Sequence, residues 1–546
     1  MPARSHSTAE APLFPVIWAP HARGGDSAPL PGKIGFRELL LRSHEITGLA
    51  VAEPPAHSAL LRMLYALTAR VTRLDESGPG DWGERRMDVV EAGELPSDAI
   101  EEYFAAWGHR FFVFDGEGGR PWMQDPRLAE QCDAGNTAGV NKLIVTRPAG
   151  NNHSWFTHVS PQSPVLPTVS EAVLNLLVWH FYGPSGRCSS REVGGVKSAS
   201  ATAGPLRTAL SYHPEGDTLF QTLLAGLTPP EATVRRDVDL CPWEWEKLPD
   251  PELPPTDRTG PMALLTACSS HALLLVANEE QQDTVADAFI TWAYRGERMP
   301  RDDAYLIWQI SQQGNRYPRP ADSRRALWRD VDALLLYEAG GPARPRRPRV
   351  FDTAFEVAET LRVRALGFEQ EGQAKDRQFV EGSTPPLLGV VEEEAPRTEA
   401  AVGRLRRLGE MYGHRLDRAV RRAWCLYVGD PKAEHSTWSA EAGARYWPQA
   451  ETEFWSRYRR LDRSLASASL DAGLDRTEAR KAFLALAEQS FATVTAPISS
   501  RLRGAKAVAE ARAELYGKRP TAKGTGSGNA DGFGLEATGS DQGVSV

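Results

Sequence analysis

At 546 residues the chain is too long to fold around one core, so two to four domains are expected. Hydrophobic residues at 41% and charged residues at 25% are ordinary for a soluble globular protein, and no run of 18 apolar residues marks a membrane span. The net charge of −8 does not by itself suggest a nucleic-acid partner, and the five scattered cysteines, with no C-x-x-C pair, argue for a reducing cytoplasm and against disulfides or structural zinc.

In chain order, the first 20 residues lack the charged-then-apolar order of a signal peptide, and Phe14–Trp18 reads as an opening strand. Phe36, Leu39, Leu40, Ser43 and Thr47 fall at helical spacing, predicting a helix that ends near Gly48. Pro54-Pro55 breaks the chain, and Ser58 is a candidate N-cap for a helix with Leu60, Leu64, Leu67 and Val71 on one face. A helix from Pro96 to Trp107 and an apolar strand at Phe111–Phe114 follow. The stretch from Asp125 to Gly139 has no apolar period and is expected to be an exposed loop, leading to a strand at Gly139–Val145. Val173–Phe181 predicts an apolar helix.

The next stretch, Arg191 to Pro205, is built of small residues around a Gly-Gly pair and one lysine flanked by hydroxyls. Its composition suits a mobile surface loop, yet glycine also lets backbone N–H groups approach a phosphate or a groove floor. Gly195-Val196-Lys197-Ser198 ends like a nucleotide-binding P-loop, but Val196 separates glycine from lysine, and Ser190 stands where a second glycine is required. Leu206–Leu227 carries further apolar residues, and the Trp- and Pro-rich segment Cys241–Gly260 is expected to wrap irregularly with Trp243 or Trp245 as an anchor. A helix at Pro261–Thr266, a buried strand at His271–Val276, and core elements at Asp302–Ile310, Leu327–Tyr337 and Val350–Gly367 come after it.

From Arg316 to Arg349 there are nine arginines against four acids, and in Arg344–Arg349 the prolines preclude a regular helix while no acid alternates with the arginines. Such a segment can hold a phosphate backbone locally, although a salt-bridged surface accounts for most charge runs. Beyond Pro385-Pro386 the periodicity is helical: Leu405, Leu408, Tyr412, Leu416, then Phe454, Tyr458, Leu461, then Phe483, Ala487, Phe491, and last Leu502, Val508, Leu515. The expected fold is therefore α+β. A mixed domain over residues 1–385, a linker over 386–396, a four-helix bundle over 397–518 and a disordered tail over 519–546 make up the chain.

No metal, nucleophile or dinucleotide motif is present: H-E-x-x-H, G-x-S-x-G and G-x-G-x-x-G after a strand are all missing. Neither a catalytic residue, a metal site nor a cofactor is expected. From the residues alone, the reading ends at a two-part cytoplasmic binding protein. A nucleotide-binding enzyme with a degenerate P-loop, or a protein–protein scaffold acting through the bundle, stand as alternatives.

The order of features resembles the CasA family, the large subunits of type I-E CRISPR Cascade surveillance complexes. The resemblance extends to about residue 516 and rests on the opening strand, the helices near Phe36 and Leu60, Trp122-Met123-Gln124, the Asn141-containing stretch and Gly194-Gly195-Val196-Lys197-Ser198. Gly204-Pro205, Trp328-Arg329-Asp330, Gly340-Gly341 and Ala511-Arg512-Ala513-Glu514-Leu515-Tyr516 complete it. It implies a non-catalytic subunit that reads the protospacer-adjacent motif of double-stranded DNA from the minor groove, starts unwinding and docks the CRISPR helicase-nuclease. Its implied partners are the other Cascade subunits, the crRNA 5′ handle and the target duplex.

Carried onto this sequence, the resemblance places the glycine loop on Gly194, Gly195, Val196, Lys197 and Ser198. The wedge falls after Gly340-Gly341, where a glutamine is replaced by a stretch holding Arg344, Arg346 and Arg347. No lysine matches the lysine finger, and Arg316 or Arg319 substitutes for it. The loop that meets the crRNA handle and neighbouring subunits falls on Gly139, Asn141 and Lys142.

Overall fold

A computed structural model of the chain describes residues 6–24, 29–76, 81–114, 120–147, 149, 164–231, 233–253, 260–295, 302–335, 347–371, 375–390, 396–461 and 474–517. The mixed α+β class is as expected, with the C-terminal helices packing as a bundle. By contacts the chain divides into one unit of Met1–Glu410 with Ala450–Arg480 and a second of Met411–Gln449 with Lys481–Val546.

The first unit is built around helix Pro54–Thr72, of which every residue from Pro54 to Val71 is buried. The proline pair sits in the first turn, where no backbone N–H is lost, so the helix begins at Pro54 and Ser58 lies inside it. Helices apolar on all sides belong in the middle of a core, and helix Val169–Tyr182, buried apart from Glu171, packs against this one. The polar residues such a helix carries inward are satisfied by partners: Arg62 pairs with Asp303 at 2.8 Å and Arg70 with Glu244 at 2.7 Å, while Ser58 Oγ meets His213 Nε2 at 2.9 Å.

Two three-stranded antiparallel sheets flank this core. One has the order Lys33–Ile34, Phe14–Trp18, Ile46–Leu49, and the other Lys375–Ser383, Arg362–Glu371, Leu210–Glu215. The periodic stretch at Phe36 therefore forms a helix only to Leu41, and Ile46–Leu49 pairs with the opening strand. Phe111–Phe114 is not a strand either. Phe111 closes a five-ring cluster with Phe14, Phe36, Trp122 and Trp243, and only an isolated bridge from Phe112 to Ser7 remains. Burying the ring outweighs the local β preference. Trp243 is the anchor of the proline-rich segment, 2% exposed.

In the second unit, Tyr412, Leu416, Ala419 and Ala423 of helix Pro396–Val428 form a buried stripe. The same unit buries Tyr446 of helix Ser436–Tyr458, Phe483, Ala487, Phe491 and Val494 of helix Arg476–Ser499, and Ala507 and Ala511 of helix Leu502–Ala511. A Cβ at Gly413 would lie 2.1 Å from the Trp447 ring, so glycine there sets how closely two helices approach. Arg422 pairs with Glu510 at 2.7 Å and Arg418 lies 3.8 Å from Glu514, which takes these two arginines out of a simple solvated face.

Candidate nucleic-acid interface

The small-residue stretch forms a β-hairpin and not a loop. Strands Gly186–Val193 and Val196–Ala201 pair antiparallel, with Val193 opposite Val196 and Glu192 opposite Lys197. Gly194 and Gly195 are the two turn residues, at φ of 58° and 75°. Two consecutive positive φ values make a type I′ turn, whose twist matches that of the strands it joins. This also disposes of the P-loop alternative, because Lys197 and Ser198 continue into a strand, whereas a P-loop opens a helix.

A second set of residues fixes the hairpin in place. Arg191, with no exposed side-chain surface, donates to Asp125 Oδ2 at 2.8 Å, to Gln131 Oε1 at 2.8 Å and to the Trp292 carbonyl at 3.1 Å. Trp292 ends strand Val285–Trp292, and its indole donates to the Ser198 carbonyl at 3.2 Å. Arg295 lies over the same indole and donates to the carbonyls of Val196 at 2.6 Å and Val193 at 3.1 Å, on both sides of the turn. Burial opposes ionisation of Asp125, but hydrogen bonds from Arg127 and the charges of Arg191 and Arg127 outweigh it, holding its pKa below the ordinary carboxylate value.

The result is an exposed tip on a rigid seat: Gly194, Gly195, Val196 and Lys197 are all exposed, and Val196 keeps 53% of its surface. A Cβ on Gly194 would strike the Glu252 carboxylate at 2.3 Å, while one on Gly195 meets nothing within 4 Å. Both glycines are required by φ; a Cβ at Gly194 would also displace the flexible Glu252 carboxylate, while Gly195 presents bare backbone to solvent.

Gly139, Asn141 and Lys142 do not form a strand. Val140–Leu143 is a single helical turn, entered through Gly139 at φ 77°. It packs on strand Val285–Trp292, and Lys142 Nζ donates to the Arg187 carbonyl of the hairpin at 2.8 Å. Asn141 is 5% exposed, with neither amide atom partnered among the described residues. Nor is Asp125–Gly139 a bare loop. Leu128–Gln131 is a helical turn, and Asp125, Leu128 and Cys132 are buried, which leaves Ala129, Glu130 and Asp133–Asn136 as its exposed parts.

The arginine-rich segment departs furthest from expectation. Arg344 and Arg346 lie outside the described residues, as does Gly340-Gly341. The other seven arginines of Arg316–Arg349 are each ion-paired: Arg316 and Arg349 with Asp302, Arg319 and Arg325 with Asp330, Arg324 with Asp322, Arg329 with Glu410 and Arg347 with Asp352. Asp302, Asp352 and Glu410 are outside the window in sequence. Arg347 is buried, donating also to the Leu335 carbonyl, and Arg319 is 8% exposed, so neither is an open phosphate contact. Arg316 stays at the surface, 4.2 Å over the Trp308 ring. Among the described residues, no hydrogen bond or ion pair joins Arg316 or Arg319 to the glycine hairpin.

Sequence reading passed over Arg295, Trp292 and Glu252. Nothing in their local sequence marks them, and only pairing across the fold brings them to the hairpin. No described helix is long and apolar enough to cross a membrane, and no group of three metal-ligating side chains gathers among the described residues.

Comparison with known proteins gives one answer. The profile of the family described as CRISPR-associated protein Cse1 matches residues 17–491. CRISPR-associated protein CasA/Cse1 of Thermus thermophilus is 26% identical over 383 residues, 70% of this chain and 68% of that protein. A chain of a structure titled CRISPR RNA-guided surveillance complex superposes with a TM-score of 0.81 at 36% identity, covering 94% of this chain and 99% of that one. Thermus thermophilus CasA (Cse1), at 21% identity and a TM-score of 0.70, shares the fold over 94% of this chain and 98% of its own. The chain belongs to the Cse1 (CasA) family of CRISPR-associated proteins.

Proposed function

We propose that the chain is the large, non-catalytic subunit of a type I-E CRISPR surveillance complex, Cascade, and that its glycine hairpin reads the protospacer-adjacent motif. The tip Gly194–Ser198 enters the minor groove of double-stranded DNA, and Lys197 contacts the phosphate backbone. The stretch after Gly340-Gly341, with Arg344 and Arg346, starts unwinding, and Arg316 serves as the surface basic finger. The turn at Gly139–Lys142 faces the crRNA handle and neighbouring subunits, and the same subunit docks the helicase-nuclease. The 36% identity to a chain of a surveillance complex, over nearly the full length of both, supports the assembly.

One observation carries the reading of the motif. The Gly194-Gly195 turn is exposed and clamped on both sides by Arg295, so bare backbone is offered on a rigid support. The minor groove is narrow, and a reader without a Cβ can reach the base edges that a side chain would hold away.

The test is Gly195→Asn in the reconstituted complex. Asparagine tolerates positive φ better than most side chains and a Cβ there meets no neighbour, so the backbone strain should cost no more than about 1–2 kcal/mol. Discrimination between correct and incorrect motifs in a gel-shift assay should fall, and fall further in Gly194→Asp with Gly195→Asp. Unchanged discrimination in both variants would remove the hairpin from motif reading.

A further inference from the structure

Next to the hairpin's seat lies an open cleft of about 690 Å³, the solvent at its mouth included. Asp125, the anchor of Arg191, is in its wall, and so is Tyr294, the neighbour of the clamp Arg295. Besides Arg127, which pairs with Asp125, two arginines line it: Arg110, in the 3₁₀ turn Gly108–Arg110, and Arg120, both half-buried.

Unlike the seven paired arginines of Arg316–Arg349, neither of these meets a carboxylate among the described residues. Arg120 donates to the Pro242 carbonyl at 2.9 Å, and Arg110 Nε is buried without a partner. Asp115 and Glu117, between them in sequence, lie outside the described residues. Burial pushes the Arg120 guanidinium down to about 10, and the charge of Arg110 pushes it the same way. Two like charges withdrawn from water, with no counter-charge of their own among the described residues, are stabilised by an anion able to bridge them. Guanidinium forks match phosphate oxygens in particular.

The rest of the wall is aromatic. Trp245 and Tyr294 are half-buried, and the Trp122 indole N–H is buried with no acceptor among the described residues. A planar ring can stack on the first two.

We propose that this cleft binds one phosphorylated nucleoside, its phosphate on Arg110 and Arg120 and its base against Trp245. The unit is either a free nucleotide or an unpaired nucleotide of a strand, since both present the same phosphate and ring. The chemistry of the cleft carries this inference independently of the hairpin's proposed role, and the binding test below needs no duplex and no motif.

The full chain is titrated calorimetrically with adenosine 5′-monophosphate, adenosine, inorganic phosphate and a short oligodeoxyadenylate. The monophosphate should bind one per chain, about tenfold or more tighter than adenosine or phosphate alone. Arg110→Gln with Arg120→Gln should weaken it by about tenfold or more, as loss of charge-assisted hydrogen bonds requires. Trp245→Ala should remove the preference over inorganic phosphate while circular dichroism stays unchanged. This single variant carries the test if the double arginine variant unfolds. A monophosphate that binds no better than phosphate, or equally to wild type and variants, overturns the proposal. Competition by the oligonucleotide upholds it with a strand as the source, and binding of the monophosphate alone upholds it with a free nucleotide.

Discussion

Two hairpins of the first unit invite comparison. The glycine hairpin Gly186–Val193/Val196–Ala201 and the hairpin Trp308–Ile310/Arg316–Pro318 are both short, both carry glycine at positive φ near the tip, and both bring basic residues to or near the surface. In sequence the second offers more positive charge, because it opens the arginine-rich segment. In the fold its charge is partly neutralised: Arg316 stays at the surface but pairs with Asp302, and Arg319 is withdrawn onto Asp330. The glycine hairpin keeps its buried arginine, Arg191, as an anchor and leaves a backbone turn and Lys197 outside. A count of basic residues therefore says little about available charge until the acids that fold back onto them are known.

The largest expected effect tests the seat under the first hairpin by acid. His271 is the register partner of Trp292, and burial, the main cause, lowers its pKa to about 3. Its folded pKa lies below the unfolded value of 6.5, so the unfolded chain takes up the proton first. The contribution of neutral His271 is complete above about pH 6.5 and is lost as pH falls towards 3, at up to about 1.4 kcal/mol per pH unit. His57 and His180, lowered to about 3 and about 4 by burial, act in the same direction. Denaturant midpoints measured between pH 7 and pH 4 should fall steeply, and His271→Gln should flatten the slope. A variant as acid-sensitive as wild type would separate this histidine from the seat.

Next in size is the anchor itself. Arg191→Ala removes three hydrogen bonds made by a fully buried guanidinium and should cost about 3 kcal/mol in chemical unfolding. Amide exchange over Val196–Ala201 should quicken with it. Arg316→Ala, whose ion pair is nearly half-exposed at both ends, should cost less than about 1 kcal/mol. Equal costs would erase the contrast between an anchoring arginine and a surface one.

The smallest effect is read in DNA binding by the reconstituted complex. Lys197→Ala should reduce the salt slope of the binding constant by about one, the signature of one lost phosphate contact. Arg319→Gln should leave the slope alone, because its guanidinium is already held by Asp330. A slope that drops for Arg319→Gln and holds for Lys197→Ala would reverse the assignment of the two hairpins.

Much of the fold was legible in local pattern. The apolar periods at Leu60–Val71 and Val173–Phe181, and those of the C-terminal helices, mark real helices, since a buried face repeats with the helix and is written directly in the residues. The Gly194-Gly195 pair was likewise visible as a place where backbone could come close, and the family resemblance followed from the order of such features. Other outcomes came from partners distant in sequence. Phe111 left its strand for a ring cluster assembled from four other segments, and Gly139–Val145 became a helical turn on a strand more than a hundred residues away. The arginines of Arg316–Arg349 were neutralised in part by acids outside that stretch, Asp302, Asp352 and, most distant, Glu410. By itself the sequence determined which segments bury a face and where the backbone is unobstructed, because those are properties of neighbours along the chain. Tertiary structure alone decided whether Arg191–Pro205 was a loop or a clamped hairpin, and which cations stayed available. Pairing, burial and charge neutralisation depend on groups brought together only by folding.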